Sequence, residues 1–131
     1  SSQYLDTMEI QIIVSILKAK IGDLVIIENP ESHLHPRAQS RLATLFALAS
    51  SIGIQLIIET HSDHILNGIR VATKKGLINS EQIKIYYLSK EENKLETKID
   101  SLTIDKDGKI NENWPKGFFD EYENLLDELL W

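Results

Sequence analysis

All four histidines of this chain fall between residues 33 and 64, close in sequence to three glutamates, Glu28, Glu31 and Glu59, at or just beyond two expected strand ends. They form two groups. The first holds Glu28, Asn29, Glu31, His33 and His35; the second holds Glu59, Thr60, His61, Ser62, Asp63 and His64. Two chemistries use groups of this kind. In metal-dependent hydrolysis, the His33-x-His35 and His61-x-x-His64 pairs would supply imidazoles, and Glu28 or Glu59 a carboxylate. In nucleotide hydrolysis, an apolar strand running straight into an acid is the Walker B arrangement, whose carboxylate holds Mg²⁺ directly or through water. The spacing leaves both open. Plainer roles compete for several of these residues. Thr60 and Ser62 can cap a helix, and Asp63 favours a first helical turn. Glu59 closes a buried strand and needs a partner or water there.

The flanking elements bring the two groups together. Met8, Ile12, Ile13, Ile16, Leu17 and Ala19 recur at three- and four-residue spacing and predict an amphipathic helix over 8–19, ending near Gly22. Leu24–Ile27 is a short apolar run, suited to a parallel strand buried on both faces. The polar segment that follows is broken by Pro30, and Pro36 suits the first position of the next helix. Ala38, Leu42, Leu45, Phe46 and Ala49 mark that helix's apolar face, and Gly53 is placed to terminate it. Ile54–Ile58 predicts a second strand. Ile65, Leu66, Ile69 and Ala72 mark a third helix, with Gly76 as its stop. Ile83–Leu88 predicts a third strand, parallel to the other two. Residues 94–110 alternate weakly, with Asp107-Gly108 as a hairpin turn. Apolar residues at 118, 122, 125, 126 and 129 predict a tail helix from Phe118 to Trp131.

This order predicts an α/β layer fold with a mostly parallel sheet, flanking helices, and a C-terminal hairpin and helix. In such sheets ligands bind beyond the carboxyl ends of the strands, which is where both polar groups fall. The expected functional site is therefore that edge.

Composition narrows the classes. The 131 residues fit one domain, and 42% hydrophobic content is too apolar for disorder. The chain has no cysteine, which removes disulfides, thiolate metal sites and thiol nucleophiles and leans toward a reducing cytosol. The net charge of −6 suggests no large phosphate-tracking surface. Charge divides the chain: residues 91–131 hold 12 acids against 5 bases, whereas residues 1–90 hold 8 against 9. We read residues 1–90 as the part carrying the site and 91–131 as an acidic hairpin-plus-helix tail whose charges form a solvated face. No secretory signal pattern is visible, and the uncharged run from Leu42 to Ile58 is too short for a membrane span. The expected location is the cytoplasm, without a membrane partner.

Two blocks of residues, Glu28-Asn29-Pro30-Glu31-Ser32-His33-Leu34-His35-Pro36 and Glu59-Thr60-His61-Ser62, each preceded by an apolar strand, resemble the ABC-type ATPases. The resemblance is closest to the prokaryotic stand-alone AAA/ABC-like group related to the overcoming-lysogenization-defect ATPases. It covers roughly residues 8–75 and is strongest at 23–70. It implies ATP and Mg²⁺ as cofactors and a P-loop NTPase fold. Glu28 matches the Walker B acid, usually aspartate, and would help hold Mg²⁺. Asn29 stands where the family has its catalytic glutamate; asparagine cannot take up a proton, and Glu31 is the nearest replacement carboxylate. Ser32, His33 and His35 lie in the D-loop stretch, which in the family faces the partner subunit. His61 matches the switch histidine that reaches the γ-phosphate.

The sequence departs from the family in two further places. Thr7 and Met8 fall near the signature motif, but no glycine precedes Gly22. None of the six glycines belongs to a G-x-x-x-x-G-K-[ST] phosphate loop. The resemblance therefore implies the carboxyl-terminal half of such a domain, inactive without its P-loop half and self-associating or homodimeric. The family's ties to mobile elements, phage defence and nucleic-acid transactions enter as resemblance only; the acidic tail argues against DNA contact through residues 91–131. The alternatives are the metal-dependent hydrolase, and a non-enzymatic interaction module in which Asn29 leaves binding without turnover.

Overall fold

The computed structural model describes residues 7–110. The expected tail helix at 118–131 lies outside these described residues. Eight elements follow one another: α1 (Thr7–Lys18), β1 (Leu24–Glu28), α2 (Pro36–Ser51), β2 (Gln55–Glu59), α3 (Asp63–Lys74), a single 3-10 turn (Ser80–Gln82), β3 (Ile85–Lys90) and β4 (Thr97–Leu102). The helices lie where the apolar spacing places them. Pro36 occupies the first turn of α2, where its missing N–H costs nothing. Ser62 caps α3 by accepting from the Ile65 N–H through its side chain at 3.2 Å.

β1 and β2 pair in parallel, in a register that sets Leu24 against Gln55 and Glu28 against Glu59. α2 forms the crossover between them, because parallel neighbours need a connection long enough to return to the starting edge. Ile27 faces the main core, together with Ile12 and Ile16 of α1, Leu42 and Phe46 of α2, and Ile65 of α3. Val25, Leu56 and Ile58 pack against the same cluster. Fully burying a side chain such as Phe46 contributes about 2–3 kcal/mol. α2 and α3 approach closely at two small residues: a Cβ added to Gly68 would sit 2.5 Å from the Ala43 Cβ.

Two expectations are corrected here. The strand near residue 83 begins at Ile85 and is not a parallel neighbour of β1 and β2. It pairs with β4 in an antiparallel sheet of its own, with Leu88 opposite Ile99. The physical reason lies in its pattern and its connection. Burial alternates strictly along β3, with Tyr86 and Leu88 outward, and only residues 91–96 separate it from β4. So short a link joins antiparallel strands only. The main hairpin turn is accordingly at 91–96. Asp107-Gly108 turns a smaller loop closed by the Ile104–Ile110 bridge and by the Asp105 N–H donating to the Lys109 carbonyl at 2.8 Å.

Burial of the parallel pair is likewise one-sided. Among the described residues the second face is open, with Leu24 51%, Ile26 64% and Ile57 51% exposed.

Candidate functional site

The carboxyl ends of β1 and β2 lie side by side. Glu28 and Glu59 are register partners, and the Asn29 N–H donates to the Glu59 carbonyl at 2.8 Å. The chain then turns sharply. Asn29 has φ 46° and His33 φ 62°, both in the left-handed region that Asn and His tolerate better than bulkier residues. The Ser32 N–H donates to the Asn29 carbonyl at 3.1 Å, and the Leu34 N–H to the Glu31 carbonyl at 3.0 Å. The loop is thus wound tightly on itself over a buried Pro30.

Glu31 reaches across to the second loop. One carboxylate oxygen accepts from the Thr60 hydroxyl at 2.9 Å, and the other accepts from the His61 backbone N–H at 2.9 Å. The Thr60 hydroxyl oxygen accepts in turn from the Ser62 N–H at 3.0 Å. The Ser62 hydroxyl donates to the Gln39 side-chain carbonyl, and the Gln39 amide donates to the Leu34 carbonyl at 3.0 Å. The path therefore returns to the loop from which it began.

The expected site residues all sit on this edge, with different surroundings. Glu28 and Glu59 are exposed, and their carboxylates have no hydrogen-bond or ion-pair partner among the described residues. The Asn29 side-chain oxygen is buried with no hydrogen-bond partner among the described residues. Ser32 is half-buried and His33 exposed. The His35 side chain caps α2, with Nδ1 accepting from the Arg37 N–H at 3.2 Å, so a structural role accounts for its position. His61 is tied by its backbone and leaves its exposed imidazole unengaged among the described residues. His64 lies in the first turn of α3 and lines an open groove of about 330 Å³ with Ser40, Thr44, Asn67, Gly68, Val71 and Lys75. Partial burial pushes the Asp63 carboxyl above its ordinary value, and electrostatic attraction to the neighbouring His64 partly offsets this.

Gln39 and Glu9 belong to neither of the two sequence blocks. Both carry a signal in the sequence: each is a polar residue on the apolar face of its helix, where burial without a partner is costly. Gln39 is 8% exposed and engaged as above. Glu9 is 3% exposed and ion-paired to Arg41 at 3.5 Å.

Among the described residues, no three of His, Asp and Glu lie close enough together to hold a metal ion. The imidazole-rich metal centre therefore has no structural support. A Mg²⁺ ion makes a different demand: one or two carboxylates, with phosphate oxygens and water completing its shell. Glu28 and Glu59, at adjoining strand ends and with carboxylates unpartnered among the described residues, are the two that could hold such an ion.

Residues 7–67 match a family described as "AAA domain, putative AbiEii toxin, Type IV TA system". Residues 78–129 match a family described as "Protein of unknown function (DUF3696)". No curated protein and no solved structure matches the chain. The first match takes in α1, both parallel strands and both polar loops, and it supports a P-loop ATPase-like family. The short parallel sheet with its helices is compatible with a P-loop NTPase-like domain. The second match takes in the antiparallel sheet. No helix among the described residues is long and apolar enough to cross a membrane.

Proposed function

We propose that this chain is the Walker B, D-loop and switch-histidine half of an ABC-like ATPase of the group related to the overcoming-lysogenization-defect ATPases. The observation that carries the reading is the shared edge. Glu28 ends β1, its register partner Glu59 ends β2, and His61 follows two residues later. An acid and a histidine so placed face the region where ligands bind to parallel α/β sheets. The AAA-type match over residues 7–67 supports the same conclusion.

In this reading Glu28 holds Mg²⁺, which on binding would neutralise phosphate charge. The His61 imidazole meets the γ-phosphate, and Ser32, His33 and His35 belong to a loop presented to a second head. The P-loop, its lysine and the remaining strands belong to a partner half, which covers the open face of β1 and β2. Parallel sheets are ordinarily covered on both faces, and the exposed Leu24, Ile26 and Ile57 support such a cover. Turnover requires both halves, because positioning of the phosphates depends chiefly on the P-loop backbone and lysine. The fitting settings are those of the group, phage defence and nucleic-acid transactions in the cytoplasm.

The test is ATP turnover by the full-length protein, together with calorimetry on residues 1–131. The full-length protein hydrolyses ATP, and Glu28→Ala removes that activity. Residues 1–131 alone bind no ATP. Tight ATP binding by the isolated residues would overturn the half-domain reading.

A further inference from the structure

We propose that Glu31 is a positioning residue, a clasp that sets His61 by gripping the second loop, and not the base that replaces the missing glutamate at Asn29. The inference rests on the ATPase reading for its kinetic consequence but not for its geometry.

The clasp is two-handed. Both Glu31 oxygens are engaged on the second loop, one by the Thr60 hydroxyl and one by the His61 N–H, each at 2.9 Å. Thirty residues of chain separate Glu31 from His61, so this is a tertiary contact and not a local turn. The contact belongs to a closed circuit. Glu31 grips Thr60, Thr60 accepts from Ser62, Ser62 donates to Gln39, and Gln39 donates to the Leu34 carbonyl. The Leu34 N–H then donates to the Glu31 carbonyl at 3.0 Å. Each member orients the next, and an anionic acceptor makes the stronger kind of hydrogen bond.

The bond to His61 goes to its backbone and leaves the imidazole unengaged among the described residues. The clasp therefore fixes where the ring starts from without occupying it. A base, in contrast, must direct a carboxylate oxygen at the attacking water. Glu31 directs both of its oxygens into the neighbouring loop. A change in the first loop, such as contact with a second head, is transmitted to His61 through this carboxylate.

The experiment uses the full-length protein and four variants: Glu31→Gln, Glu31→Ala, Thr60→Val and Thr60→Ser. Amide exchange at residues 60–62 reads the clasp directly. Glu31→Ala raises exchange there about tenfold or more, and unchanged exchange would overturn the proposal whatever the enzyme does. Turnover reads the consequence. Glu31→Gln and Thr60→Val each lower kcat about tenfold with KM for ATP unchanged, the scale of one lost hydrogen bond to a charged group. Their double variant is no more than about threefold worse than either alone, because both act through one unit. Thr60→Ser restores turnover by restoring the hydroxyl, and Glu31→Gln keeps the acidic limb of the pH profile. A loss of 10²-fold or more in Glu31→Gln, with that limb abolished and Thr60→Val unaffected, would identify Glu31 as the base and overturn the proposal. Turnover that survives Glu28→Ala would instead contradict the ATPase reading, and amide exchange would still decide the clasp.

Discussion

The N–H of Asn29 donates to the carbonyl of Glu59 across 2.8 Å, so the pairing of β1 and β2 continues one residue past Glu28. The two polar loops therefore leave the sheet from a fixed common origin. Glu31 joins them again two residues later through Thr60 and His61. Two attachments, one of backbone and one of side chain, hold the carboxyl edge in a single arrangement. The side-chain oxygen of Asn29, the residue that makes the first attachment, is buried and without a hydrogen-bond partner among the described residues.

The small loop at 105–110 is latched to α3 by a close backbone approach. A Cβ added to Gly108 would lie 2.3 Å from the Arg70 carbonyl oxygen, and the Arg70 Nε donates to the Gly108 carbonyl at 2.8 Å. Gly108 also has φ 77°, which costs other residues about 1–2 kcal/mol. Gly108→Ala should destabilise the fold by about 2 kcal/mol or more once the clash is included. Urea unfolding of the two proteins measures this directly. An unchanged midpoint would mean that the latch contributes nothing to stability.

Asp63 should give the fold a specific pH dependence. Burial raises its carboxyl above the ordinary aspartate value, so the folded chain holds this proton more tightly than the unfolded chain does. Stability from this group is present at acid pH. It is lost as pH rises from the ordinary aspartate value through the raised one. Asp63→Asn removes the titration. The stability of the variant relative to wild type should therefore climb over that acidic interval and level off above it. Thermal unfolding at a series of pH values tests the sign; a difference that falls with pH would contradict it.

The open face of β1 and β2 should make residues 1–131 self-associate. Leu24, Ile26 and Ile57 form an exposed apolar surface on strands whose outer edges carry no partner among the described residues, and such surfaces promote association. Light scattering should show species larger than a monomer, and Ile26→Lys with Ile57→Lys should reduce them. A clean monomer at high concentration would count against this.

The parts of the fold legible in the sequence are those governed by short-range patterns. The apolar spacing of Ile12 and Ile16, of Leu42 and Phe46, and of Ile65 and Ala72 locates three helices, because each must bury one stripe. Pro36 and Ser62 mark two helix starts for local reasons of backbone chemistry. The antiparallel pairing of β3 is not legible from residue types, since Ile83–Leu88 contains the same β-branched and aromatic types as a buried parallel strand. Only the alternation of Tyr86 and Leu88 with Ile85 and Tyr87, together with the short return to Thr97, separates the two cases. At the site, clustering of residue types identifies the edge but not who touches whom. That Glu31 meets Thr60 depends on the β1–β2 register, and register is set by long-range packing. The role of Gln39 is not legible in its own helix because it depends on Ser62, at the end of a different loop.

Loss of ATP turnover in the full-length protein on replacing Glu28 by alanine is the most direct measure of the central claim. If Glu28 holds Mg²⁺ as proposed, its removal should abolish turnover while leaving the free energy of unfolding within about 0.5 kcal/mol of wild type, as expected for an exposed side chain without partners among the described residues. Undiminished ATP hydrolysis by Glu28→Ala would contradict the assignment of this edge as a nucleotide site.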